Sequence, residues 1–77
     1  MSLELYKDAT LTRDLPERRL RRGDLVKVVD RHIASDGTVG YSAEVMNALG
    51  DTLEVVTLPE SALEPLREDD ILCARRF

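Results

Sequence analysis

Cysteine occurs once in this 77-residue chain, at Cys73, so no disulfide can close within it and the stapling usual in small secreted domains is absent. A reducing, cytoplasmic setting is expected. Tryptophan is missing, and two tyrosines and one phenylalanine are the only rings. A groove that grips a polyproline helix is lined with aromatics and cannot be built from so few. No apolar run approaches the roughly 20 residues that a membrane span needs. The start, Met1-Ser2-Leu3-Glu4-Leu5, lacks a basic region followed by an apolar one, so neither a leader nor a membrane role is expected.

Chemistry-bearing residues are equally sparse. His32 is the only histidine, and Asp30, Asp36 and Cys73 are its only plausible partners, which leaves no zinc signature. Arg75 and Arg76 follow Cys73 closely enough to activate a thiol, but a small apolar residue in a strand is the plainer reading. Ser35, Ser42 and Ser61 lack the turn context of a nucleophile, and no glycine-rich phosphate loop is present. A domain of this size buries only about 60% of the surface its unfolded chain exposes. Ordering costs roughly 1.5 kcal/mol per residue, so nearly every aliphatic side chain is needed in one core and a deep cleft is improbable. No catalytic residue, cofactor or metal is expected.

What the chain does have is glycine-marked turns between β-branched runs. Arg22-Gly23-Asp24 releases straight into Leu25-Val26-Lys27-Val28-Val29-Asp30. Gly23 supplies the φ > 0 freedom of a sharp reversal, Asp24 can accept from turn amides, and the valines suit a pleated surface. A first strand is expected from Tyr6 to Thr12, with Leu3-Glu4-Leu5 extending it or fraying. Asp14-Leu15-Pro16-Glu17 ends it, since Pro16 cannot donate to a ladder, and Asp14 to Arg22 reads as a polar loop pinned to the body by Leu15 and Leu20. The second strand runs from Leu25 to about Ile33, and Val29 breaks its alternation, which marks a bulge or a bend. Ala34-Ser35-Asp36-Gly37 is a hairpin turn.

The third strand, Val39 to Met46, alternates cleanly, with Tyr41, Ala43 and Val45 against Ser42 and Glu44. Asn47 opens the next turn and Gly50 is its left-handed residue. The fourth strand, Thr52 to Leu58, presents Leu53 and Val55, then Val56 and Leu58, and stops at Pro59. Pro59 to Leu63 has the composition of one 3₁₀ or α turn, and Leu63-Glu64-Pro65-Leu66 is a short extended segment. The tail, Ile71 to Phe77, reads as a sixth strand or, less readily, a short helix. These parts predict an all-β fold: one domain over 1–77, a small SH3-like barrel of five to six short antiparallel strands with one 3₁₀ turn.

The run Ala9-x-Leu11-Thr12-x-Asp14-Leu15-Pro16-Glu17, then Leu20-x-Arg22-Gly23-Asp24, Val55-x-Thr57-Leu58-Pro59 and Leu63-x-Pro65-Leu66, resembles an uncharacterised family of short bacterial proteins, a domain of unknown function. The resemblance covers nearly the whole chain, and Ile71 to Phe77 resembles more weakly the closing strand of longer members. It implies an SH3-like barrel, a bacterial cytoplasm and no established activity. Members resembling this chain lie beside other small genes in toxin–antitoxin-like arrangements, which implies a protein partner, the product of a neighbouring gene. The shared residues are mostly turn and core positions, so they mark a scaffold and no catalytic site.

One feature makes a functional claim. Arg18, Arg19, Arg21 and Arg22 set four guanidinium groups on one loop, while Glu60, Glu64, Glu68, Asp69 and Asp70 crowd the last third. Guanidinium groups grip carboxylates or phosphates bidentately. A solvated loop that offsets the acidic third explains the run as well, in one molecule or across two. The net charge of −4 favours an acidic protein over a nucleic acid as the loop's ligand. The expected function is therefore a non-enzymatic interaction module that docks a protein partner through these arginines or an exposed strand edge. A homo-oligomer formed through the 71–77 tail is a further expectation. The alternative is a nucleic-acid-binding barrel in which the same arginines contact phosphate.

Overall fold

The structure, a computed structural model, describes residues 3–77; Met1 and Ser2, where the leader reading begins, lie outside the described residues. Five strands form one antiparallel sheet: β1 (Asp8–Leu11), β2 (Leu25–Ile33), β3 (Val39–Met46), β4 (Thr52–Pro59) and β5 (Leu63–Pro65). Their order across the sheet is β4-β3-β2-β1-β5. The sheet is open, with β4 and β5 at its edges and no ladder between them among the described residues. Full hydrogen-bonded closure, the simplest form of a barrel, is therefore not reached. A 3₁₀ turn, Glu60–Ala62, carries the chain from β4 to β5, and β5, three residues long, spends its ladder on β1.

Alternation decides which side chains are buried. Tyr41, Ala43 and Val45 of β3 point inward and meet Val26 and Val28 of β2, Val56 and Leu58 of β4, and Ala9 and Leu11 of β1. Burying a side chain of this kind is worth about 1.5–3 kcal/mol, so these positions hold most of the stability of so small a body. Val29 does mark a bulge: the β2–β3 register shifts between Val28 and Asp30. A second shift lies in β3–β4, where Val45 faces Glu54 and Met46 faces Thr52. Leu53 is the residue left over, and both it and Val55 are exposed while Val56 and Leu58 are buried.

The first strand is shorter than its Tyr6–Thr12 pattern. Tyr6 has φ 64°, so the chain bends before Asp8. At the other end the Thr12 amide donates to the Ala62 carbonyl and its hydroxyl to the Ser61 carbonyl at 2.7 Å, both in the 3₁₀ turn. The tail departs further from expectation. Ile71 to Phe77 forms neither a sixth strand nor a helix, and Ile71 and Leu72 are exposed. No helix of the described residues is long and apolar enough to cross a membrane.

Candidate partner-docking surface

The segment between β1 and β2 is a folded loop. Leu15 and Leu20 are buried and exchange two main-chain hydrogen bonds, Leu15 N–H to the Leu20 carbonyl at 2.9 Å and the reverse at 3.0 Å. Pro16 opens a second 3₁₀ turn, Pro16–Arg18, that the sequence reading took only as a break; proline fits there because its missing N–H has no partner in the first turn anyway. Arg19 closes the turn in the left-handed region at φ 59°. Two carboxylates then fix the way back: Asp14 accepts from the Arg22 amide at 2.8 Å and Asp24 from the Arg21 amide at 2.7 Å. Gly23, at φ 90°, donates to the Leu11 carbonyl at 2.8 Å. Local residues of short reach thus hold the main chain from which the arginines project.

The four arginines fare differently. Arg18 pairs with Glu54 of β4 at 2.8 Å. The Arg19 guanidinium lies 4.2 Å from the centre of the Phe77 ring. Arg21 and Arg22 are exposed and form no ion pair among the described residues. Within the molecule, none of Glu60, Glu64, Glu68, Asp69 and Asp70 pairs with these arginines among the described residues: Asp69 pairs with Arg67 in its own segment at 3.5 Å, and the ion-pair partner of Arg18 is Glu54.

The tail supplies what the sequence did not reveal. Arg75 lies across the base of the loop, where Nε donates to Asp24 Oδ1 at 2.9 Å and one Nη donates to Oδ2. The same Nη reaches the Arg19 carbonyl at 3.0 Å. Burial pushes the Asp24 carboxyl up, but the Arg75 fork, the Arg21 amide and the charges of Arg75 and Arg21 outweigh it and hold the group below the ordinary aspartate range. Arg75 is shifted upward by the same contact. Loop and tail together enclose a surface cleft of about 470 Å³ lined by Arg19, Arg21, Arg75 and Arg76 with Asp14, Pro16, Leu20 and Phe77. Of the four arginines named from sequence, Arg19 and Arg21 enter this cleft, Arg18 turns to β4, and Arg22 stays outside it.

The other reactive residues do not assemble. His32 Nε2 lies 2.7 Å from the Ser42 hydroxyl and 4.0 Å from Asp30 Oδ2. Both partners approach the same ring nitrogen, so the imidazole cannot pass a proton from the serine on one side to a carboxylate-held nitrogen on the other. Cys73 is exposed in the tail, not set in a strand, and the guanidinium two residues on is committed to Asp24. Among the described residues no three metal-ligating side chains cluster.

No curated protein and no solved structure matches the chain. A family model described as Domain of unknown function (DUF4926) matches residues 5–65. That span takes in all five strands, both 3₁₀ turns and the whole arginine loop, and it stops short of the Arg75 tail. The body that carries the loop, and with it the chain, belongs to the DUF4926 family of domains of unknown function.

Proposed function

We propose that this protein is a non-enzymatic, cytoplasmic interaction module on an SH3-like scaffold that docks an acidic segment of a protein partner on its arginine loop. The scaffold reading is supported by the strand order β4-β3-β2-β1-β5, the long bulged β2 shared across the sheet, and the 3₁₀ turn before a short last strand. One observation carries the docking reading: Arg21 and Arg22 are exposed and form no ion pair among the described residues, on a loop whose main chain is already tied down. A main chain fixed before binding spares the cost of ordering the loop and leaves only side-chain freedom to be lost on meeting a ligand. The cleft beside them adds Arg19, Arg75 and Arg76 around the apolar surface of Pro16, Leu20 and Phe77, which suits a carboxylate next to an apolar residue. Leu53, exposed at the edge of β4, lies beside the Arg18–Glu54 pair and extends the same surface.

The test compares the wild-type chain with Arg21→Ala/Arg22→Ala, using a glutamate-rich peptide and a single-stranded oligonucleotide as probes over a range of salt. Docking of an acidic partner expects peptide binding that the double variant loses by about tenfold or more. Equal binding by both chains overturns it. Oligonucleotide binding that exceeds the peptide's and falls steeply with salt transfers the loop to nucleic acid.

A further inference from the structure

We propose that the groove at the base of the arginine loop is a recognition site for protein segments in which an arginine is followed two residues later by an aromatic ring, and that the tail of this chain is its resident occupant. Arg21 lines the same cleft, but the contacts with the occupant are made by Asp24 and Arg19, whereas the docking reading is carried by the Arg21 and Arg22 side chains, so different variants test the two. Its polar end is Asp24 together with the Arg19 carbonyl, which between them take the Nε and one Nη of Arg75. Its other end is the Arg19 guanidinium, which covers the Phe77 ring. A planar fork on a carboxylate and a ring under a cation are both specific geometries that lysine or an aliphatic residue would not reproduce.

Three observations mark this as a ligand on a receptor and not as part of the fold. The polar end of the receptor is held without the tail, because Asp24 is oriented by the Arg21 amide and the Arg19 main chain, with its carbonyl, by the 3₁₀ turn. The tail side makes no main-chain hydrogen bond to the sheet and adds no residue to the core. The contact is also the most protected charge pair among the described residues, with 18% of the Asp24 side chain and 28% of the Arg75 side chain left exposed, against 66% and 71% for Arg67 and Asp69. Asp24 and Arg19 lie within the family span of residues 5–65, whereas Arg75 and Phe77 lie beyond it. The receptor therefore lies within the matched body and the occupant beyond it on the same chain, an arrangement in which a covalently tethered segment competes with any ligand offered in trans.

The test uses the full chain throughout. A fluorescent peptide with the sequence of residues 71–77 is titrated, with anisotropy as the readout, into wild type and into Arg75→Ala/Phe77→Ala, which frees the groove. The peptide is expected to bind the freed chain about tenfold or more tightly than it binds wild type. Asp24→Asn added to the freed chain is expected to remove that binding, since asparagine keeps the acceptor for the Arg21 amide and loses the charge. Because receptor variants can unfold, the ligand is also varied: the peptide with alanine for its first arginine should lose about tenfold or more, and a scrambled peptide of the same composition should fail likewise. Equal binding to wild type and freed chains, no binding to the freed chain, or a scrambled peptide that binds as well as the parent overturns the proposal. A wild-type mass that doubles with concentration in light scattering, and does not in the Arg75→Ala/Phe77→Ala chain, assigns the groove to the tail of a second copy and overturns it as well.

Discussion

Leu15 and Leu20 hydrogen-bond to each other through both of their main-chain amides while their side chains enter the core, so the 3₁₀ turn between them is a closed ring seated on the sheet. Replacing Leu20 by Ala should cost about 2–5 kcal/mol, as large-to-small changes at buried leucines do. Set against a total of about 5–15 kcal/mol for a small domain, that change should lower the urea midpoint strongly. A midpoint within error of wild type would mean that the loop is not anchored through this residue.

The Asp24–Arg75 fork should respond to acid in one direction. The carboxyl of Asp24 lies below its ordinary value, so the contact is fully present above about pH 4 and is lost as the pH falls through the lowered value. In an NMR acid titration the Phe77 ring signals should stay at their folded positions through pH 5 and move toward free-peptide positions only in stronger acid. In Asp24→Asn they should sit near the free-peptide positions at neutral pH and ignore the titration.

Tyr41 is wholly buried and its hydroxyl joins two distant parts of the chain, accepting from the Leu3 amide at 3.1 Å and donating to Glu60 at 3.1 Å. Tyr41→Phe keeps the ring and strips both bonds, which should cost about 1–3 kcal/mol because the Leu3 amide loses its acceptor inside the protein. Chemical denaturation reads the loss, and hydrogen exchange should show the Leu3 amide becoming more labile. An unchanged stability would show that the hydroxyl is idle.

The β2–β3 hairpin turns at Gly37, which has φ 87° and donates to the Ala34 carbonyl at 2.9 Å, with Asp36 accepting from the Thr38 amide. No neighbouring atom would obstruct a methyl group there, so Gly37→Ala isolates the cost of the backbone conformation itself. About 1–2 kcal/mol of destabilisation is expected, seen as a lower thermal midpoint with no change in the folded-state spectrum.

The middle of the sheet was legible because local pattern and tertiary need agree there. Val39 to Met46 alternates on its own and is paired on both sides, and Val29 betrayed its bulge by breaking an otherwise regular run. The ends were less readable. Tyr6 takes a positive φ that nothing in the composition of Tyr6 to Thr12 announces, and Pro16 was read as the end of a strand when it is also the start of a turn. The tail was least legible: Ile71-Leu72-Cys73-Ala74 looks like strand material, yet it pairs with neither open edge of the sheet, and a side-chain pair spanning 51 positions decides where this segment lies. The arginine run is plain in the sequence, whereas Asp24, which the tail's Arg75 seeks out, has there only the signature of a turn residue.

The Arg18–Glu54 contact also bears on how copies of this molecule meet. Glu54 is the one charged residue of β4, an edge strand, and an identical strand laid antiparallel in the register that pairs the two Glu54 residues would set like charges side by side. Leu53 and Val55 stand exposed on the same strand, and the charge between them in sequence counts against edge-to-edge growth there.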